Sequence, residues 1–435
     1  MVFTRRFLWF LLAGIPIAGI AALLGAPAVA VAYNVLLFAA AYITFRLMPR
    51  LDGLTVTRKF DPLLSVRADN KVRLILNNEG AEPIRGIVRD EPPEFFPTSN
   101  KPFPFLLQSE EPLEFQYTVT PQERGLHQFR GTFLRLDCPF GLVTRDVFLA
   151  NEEPVRVYPN LLALREFDLL KQQGRLREIG IRRTRNRGIG MEFESLRDYG
   201  DGDDFRKIDH KASARRGKLV VRQYETERNQ VVMNTIDIGR HMLAEVNGVR
   251  KLDYVLDSLL MLTNAAAMAG DLVGLLVYSD QVRRYLPPRK GRAQVGAIIE
   301  ACHDLVAEPV ESDPVAAFSY LATRWKRRSL LVSFTDYEDP DRAKELLSAY
   351  VPLARRHLAL IARVLDPRLA EVTEKTIENP QDMFAVTAAG ILSEDRQKAT
   401  MLMTSAGIQN LESEPQDLAA SLVTFYFRVK ERALL

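Results

Sequence analysis

Between Phe7 and Phe45 the chain carries no charged side chain. A membrane-spanning helix needs about 20 apolar residues, so this run predicts two spans, with Gly25-Ala26-Pro27 as the turn between them. Beyond it the pattern changes to a period of two. Leu113, Phe115, Tyr117 and Val119 alternate with polar residues, Val72 to Leu76 does so less cleanly, and Asn77-Asn78-Glu79-Gly80 and Gln122-Glu123-Arg124-Gly125 supply turns. A small β-sandwich over 51–160 is expected, with a proline-dense irregular connection between Glu91 and Pro112 across one edge. From Val231 onward strands and helices alternate. Val231 to Ile236, Leu272 to Tyr278, Leu330 to Phe334 and His357 to Leu365 read as buried strands, Leu252 to Met268 as a helix, and Gln416 to Lys430 as a closing helix. Asp313-Pro314 and Asp339-Pro340 each place a capping carboxylate before a proline at the first helical position. The alternation predicts an α/β domain with a mostly parallel sheet covered on both faces.

Four segments result: a transmembrane helical hairpin over 1–50, the β-sandwich-like domain over 51–160, a basic linker and charged signature over 161–228, and the α/β domain over 229–435. Arg5 and Arg6 precede the first span and Arg46 and Arg50 follow the second. Positive charge stays on the cytoplasmic side, so the expectation is a two-span inner-membrane protein with its soluble domains in the cytoplasm. A cleaved signal peptide is the competing reading, because Arg5-Arg6, an apolar run and Ala28-Val29-Ala30 imitate its three regions. Even then Val31 to Phe45 would stop transfer and leave Arg46 onward inside. In the linker, Arg175, Arg177, Arg182, Arg183, Arg185 and Arg187 read either as a solvated arm or as a contact for anionic lipid headgroups or an acidic partner.

Charge balance narrows the partners. The 58 Lys plus Arg against 55 Asp plus Glu leave a formal charge of +3, too little for the field that nucleic acid needs. Cys138 and Cys302 lie far apart without metal-ligand spacing, which suits a reducing compartment. Asp201-Gly202-Asp203-Asp204 with Asp209-His210 imitates a divalent-metal centre. It lacks a second nearby histidine, and the chain has no nucleophile elbow, Walker lysine or Gly-rich dinucleotide turn. An enzyme is not expected. Asp237 and Asp336 fall at the carboxyl ends of predicted strands, where open α/β sheets bind ligands, although capping or turn formation explains each alone.

The run Gly190-Met191-Glu192-Phe193-Glu194-Ser195-Leu196-Arg197-Asp198-Tyr199, followed by Gly202 to Arg215, resembles the signature of domain-of-unknown-function family fifty-eight. Cys138-Pro139-Phe140-Gly141-Leu142 and Gly270-Asp271-Leu272-Val273-Gly274-Leu275 are similar to two further motifs of that family, with Cys138 in place of an aspartate and His210 in place of a tryptophan. The resemblance implies a von Willebrand factor A-like, Rossmann-type domain. Such domains often bind Mg²⁺ through Asp-x-Ser-x-Ser, a threonine and a further aspartate. Here the first loop reads Asp237-Ile238-Gly239-Arg240-His241, so both serines are missing. Asp237, Ser312 and Asp336 remain as a degenerate adhesion-type metal site, with Arg240 weakening cation binding by repulsion. No resident cofactor is expected. The resemblance also implies a MoxR-type AAA+ ATPase as partner, with the chain acting as a membrane adaptor through which the ATPase remodels or activates a client protein. Asp203, Asp204, Arg206 and Asp209 are the candidate partner-binding charges, or members of an internal ion-pair network. A structural envelope protein binding through its β-domain, and a metal-dependent hydrolase, are the alternatives.

Overall fold

The computed structural model describes residues 2–48, 51, 53–160, 164, 192–200, 205, 208–225, 230–337, 340–432 and 434–435. They form two compact units, Met1–Leu161 and Leu162–Leu435.

The first unit starts with a short strand, β1 (Val2–Phe3), and two helices, α1 (Arg5–Leu23) and α2 (Ala28–Arg46), joined at the expected turn. Each helix has 19 residues, which at about 1.5 Å per residue matches the hydrocarbon thickness of a bilayer. Both are long and apolar enough to cross a membrane, and they leave Trp9, Leu12, Ile15, Val31 and Leu36 exposed. The helices approach closely at Gly14, where a Cβ would stand 3.0 Å from the Tyr33 ring. The Tyr33 hydroxyl crosses to donate to the Phe10 carbonyl at 2.6 Å.

Eight strands follow: β2 (Leu54–Phe60), β3 (Leu63–Ser65), β4 (Asn70–Asn78), β5 (Ile84–Glu91), β6 (Phe103–Leu107), β7 (Leu113–Val119), β8 (Gly125–Asp137) and β9 (Val143–Tyr158). One sheet runs β1-β9-β8-β5-β6, with β3 also on β9, and the other runs β2-β4-β7. Leu74 and Leu76 from one sheet meet Val88, Leu134 and Leu136 from the other in a shared core, as the alternation requires. The proline-dense stretch, expected to be irregular, contains β6; its Pro104 sits on an edge strand, where a missing N–H is tolerated. A buried ion pair closes the interior: Arg58 meets Asp90 through two bonds of 2.8 and 2.6 Å, and Tyr117 and Thr132 donate to the same carboxylate.

In the second unit, β10 (Glu192–Asp198) pairs antiparallel with β11 (Val220–Glu225), and α3 (His210–Arg216) lies between them in sequence. The stretch read as linker and signature thus contains two strands and a helix among its described residues. The α/β portion comprises β12 (Val231–Asp237), the small hairpin β13 (Glu245–Val246) and β14 (Val249–Arg250), α4 (Lys251–Met268), β15 (Leu272–Tyr278), β16 (Val282–Arg289), α5 (Arg292–Cys302), α6 (Pro314–Arg324), β17 (Leu330–Phe334), α7 (Pro340–Ala354), β18 (Leu358–Val364), α8 (Pro367–Thr373), α9 (Pro380–Ser405), β19 (Gln409–Ser413) and α10 (Leu418–Glu431). Its sheet has the order β16-β15-β12-β17-β18-β19, and every pairing is parallel except β15 with β16. Helices α4, α5 and α10 pack on one face, while α6, α7 and α9 close the other around Phe318, Leu346, Tyr350 and Met403. The chain leaves β12 toward β15 and later returns to place β17 on the opposite side. A topological switch point therefore lies between β12 and β17, the position where such sheets form a crevice.

The Gly270 to Leu275 motif has a structural task. Gly270 turns at φ +84, and a Cβ on Gly274 would come within 3.0 Å of Pro288 and Met233. Between them, buried Asp271 receives the Tyr426 hydroxyl and pairs with Lys430 Nζ at 2.6 Å, holding α10 against the sheet.

Candidate functional site

Asp237 ends β12 and Thr335-Asp336 follow β17, so the parallel register of these two strands sets the residues side by side at the switch point. The fully buried Asp237 carboxylate accepts three hydrogen bonds from within the chain. Its Oδ1 accepts from the Ser312 hydroxyl and from Gly239 N at 2.9 Å, and its Oδ2 accepts from Thr335 Oγ1 at 2.8 Å. Burial first, then the nearby Asp237 charge, pushes the Tyr278 phenol well up, so that ring stays neutral.

Asp336 faces cations. Lys251 Nζ, from the start of α4, lies 2.5 Å from its Oδ2, and Arg363 Nε and Arg396 Nη2 each lie 3.9 Å from its Oδ1. Burial works to raise this carboxyl, but attraction by Lys251, Arg363 and Arg396 outweighs it and holds the group below the usual carboxylate range. Both arginines also share Glu412 of β19, at 2.9 and 3.0 Å. The structure therefore joins two of the three predicted metal ligands, Asp237 and Ser312, and engages the third, Asp336, with a lysine ammonium.

The loop between Asp237 and His241 explains one of the missing serines. A Cβ on Gly239 would stand 2.0 Å from Ser312 Oγ and 2.9 Å from the Val310 carbonyl, so this position has no room for a side chain. Arg240, expected to repel a cation, instead pairs with Glu311 at 2.5 Å. Glu311 lies 3.4 Å from Arg342, which in turn holds Glu345 at 2.6 Å, and the four side chains make a charged rim beside Asp237 and Ser312.

Among the candidate partner-binding charges, Asp209 caps α3 by accepting from Ala212 N at 2.9 Å. Asp203, Asp204 and Arg206 lie outside the described residues, as do Asp339 and the arginine run Arg175 to Arg187. Sequence reasoning missed Lys251, Thr335, Arg363 and Arg396. One signal was available, since Arg363 interrupts the apolar strand Leu358–Val364, and a buried charge needs a partner.

Residues 195–382 match the family described as Protein of unknown function DUF58. The matched stretch includes β12, β15 and β17 and all of Asp237, Ser312 and Asp336. Uncharacterized proteins of Mycobacterium bovis and Mycobacterium tuberculosis are each 26% identical over 189 residues, 43% of this chain. The match spans 59% of those relatives' own length. Among solved structures, the conserved hypothetical protein BatB from Bacteroides thetaiotaomicron is similar over 46% of this chain and 98% of its own, at 13% identity and a TM-score of 0.31. A CARDB domain from Pyrococcus furiosus is similar over 24% of this chain and 86% of its own, at 18% identity and a TM-score of 0.17.

Proposed function

We propose that this protein is a membrane-anchored interaction adaptor, in which a von Willebrand factor A-like unit docks a cytoplasmic protein partner at the carboxyl ends of β12 and β17. One observation carries the reading: the crevice that would hold a small ligand or an ion is occupied by the chain's own Ser312, Thr335 and Lys251, and its rim presents paired, partly exposed charges. Charges arranged this way steer and orient a macromolecule. Lys251 already supplies a positive charge beside Asp336, which supports docking without a metal. The sequence resemblance supplies the partner class, a MoxR-type AAA+ ATPase acting on a client protein. The arginines flanking the hairpin put both on the cytoplasmic side of an inner membrane.

The test is binding of a purified MoxR-type ATPase to the full-length protein in detergent, with Arg240→Glu and Glu311→Lys as variants. Both side chains are about half exposed, so charge reversal should slow association about tenfold or more; Arg240→Glu should leave the melting temperature nearly unchanged, whereas Glu311→Lys should lower it modestly because that position also faces buried Arg342. Unchanged association in both folded variants would remove this face from consideration.

A further inference from the structure

Within the first unit, a cavity of about 630 Å³ opens where α1 begins, and Arg5, Arg6, Arg85, Asp137, Met48 and Phe140 are among its lining residues. Arg5 and Arg6 are the first residues of α1, and Met48 lies just past the end of α2. If the hairpin lies in a bilayer, the cavity sits where the apolar band ends and lipid phosphates begin.

The geometry there is fixed by the backbone. Val2 and Phe3 pair with Thr144 and Val143 of β9, and Thr4 Oγ1 donates to the Gly141 and Leu142 carbonyls at 2.7 and 3.0 Å. A Cβ on Gly141 would stand 3.2 Å from an Arg6 guanidinium nitrogen, so the glycine leaves the space that this side chain fills. Phe140, beside it, is 80% exposed and adopts φ +64, a conformation that bulky residues rarely take. An apolar ring held outward there offers a surface for the glycerol and upper acyl part of a lipid.

The charges select the ligand. The lining holds three arginines and a single carboxylate, Asp137, which lies 3.6 Å from Arg85, while Leu51, Ile84 and Leu136 give the cavity an apolar part. A guanidinium fork matches the oxygens of a phosphate, and the surplus positive charge disfavours a headgroup that brings its own ammonium. We propose that this cavity binds the headgroup of an anionic phospholipid, its phosphate held by Arg5, Arg6 and Arg85 and its glycerol end against the apolar wall beside Phe140.

The experiment is native mass spectrometry of the full-length protein released from nanodiscs of phosphatidylglycerol or of phosphatidylcholine. The wild type should retain the anionic lipid and not the zwitterionic one. Arg85→Gln should weaken retention roughly fivefold, the effect of one basic residue at a membrane surface, and Arg5→Gln with Arg6→Gln should weaken it further. Arg85 lies outside the hairpin's flanking charges, so its variant carries the test even if the double variant inserts wrongly. Millimolar glycerol phosphate should leave the bound lipid in place. Equal retention of the two lipids, an unaffected Arg85→Gln variant, or displacement by glycerol phosphate would overturn the site. Failure to enter either kind of nanodisc would overturn the membrane anchor itself.

Discussion

At the scale of single residues, the buried pair of Lys251 and Asp336 decides how the crevice responds to mutation and to acid. Removing one partner of a buried ion pair typically costs about 3–5 kcal/mol. Lys251→Met should fall toward the lower end, because Arg363 and Arg396 stay near Asp336. The Asp336 carboxyl is held below its ordinary value, so its contribution is present above the unfolded pKa of about 3.9 and is lost as pH falls through the folded one. The melting-temperature gap between wild type and Lys251→Met should therefore be widest at neutral pH and shrink as pH falls below the unfolded pKa of about 3.9. A gap that does not depend on pH would show that the lysine acts only through packing. Gly239 makes the complementary case. Gly239→Ser restores a missing ligand type by sequence, yet its Cβ must enter space held by Ser312 and the Val310 carbonyl, at an overpacking cost of about 1–3 kcal/mol. Calorimetry with Mg²⁺ should find no micromolar affinity in either form, and a micromolar constant abolished by Asp237→Ala would reinstate the ion site.

At the scale of elements, Asp271 shows how a short motif can secure a distant helix. Tyr426→Phe removes one donor from a buried carboxylate and should cost about 1–3 kcal/mol, whereas Lys430→Met also strips its counter-charge and should cost more. Hydrogen exchange across 418–431 should quicken in the same order, and equal protection in both variants would mean that apolar packing alone holds α10. The reach of sequence reasoning varied by element for physical reasons. Strands β12, β15, β17 and β18 are buried on both faces and announce themselves as apolar runs. The edge strands β16 and β19 do not: Val282–Arg289 carries three arginines and two prolines, and Gln409–Ser413 is half exposed and mostly polar. In the crevice, Asp237 and Asp336 were legible from their places at strand ends. Lys251, Arg363 and Arg396 were not, because they converge from α4, β18 and α9 and only the folded sheet brings them to one carboxylate.

At the scale of the whole molecule, the pairing of β1 with β9 bears on topology. Val2 and Phe3, ahead of α1, join the same sheet as residues far beyond α2, so both ends of the hairpin must lie on the side of the β-sandwich. Among the described residues only α1 and α2 are long and apolar enough to cross a membrane, so nothing described beyond them returns the chain across the bilayer. On the proposed topology, charge decides the side. Arg5, Arg6, Arg46 and Arg50 flank the spans, and carrying them across is disfavoured relative to leaving them in the cytoplasm. Protease added to intact spheroplasts should therefore leave both an N-terminal tag and residues 51–435 uncut, and lysis should expose both together. If both were cut from outside, the arginine argument would fail while the hairpin geometry stood. If only one were cut, the two ends would lie on opposite faces, and the pairing of Val2 and Phe3 with β9 could not form in the membrane.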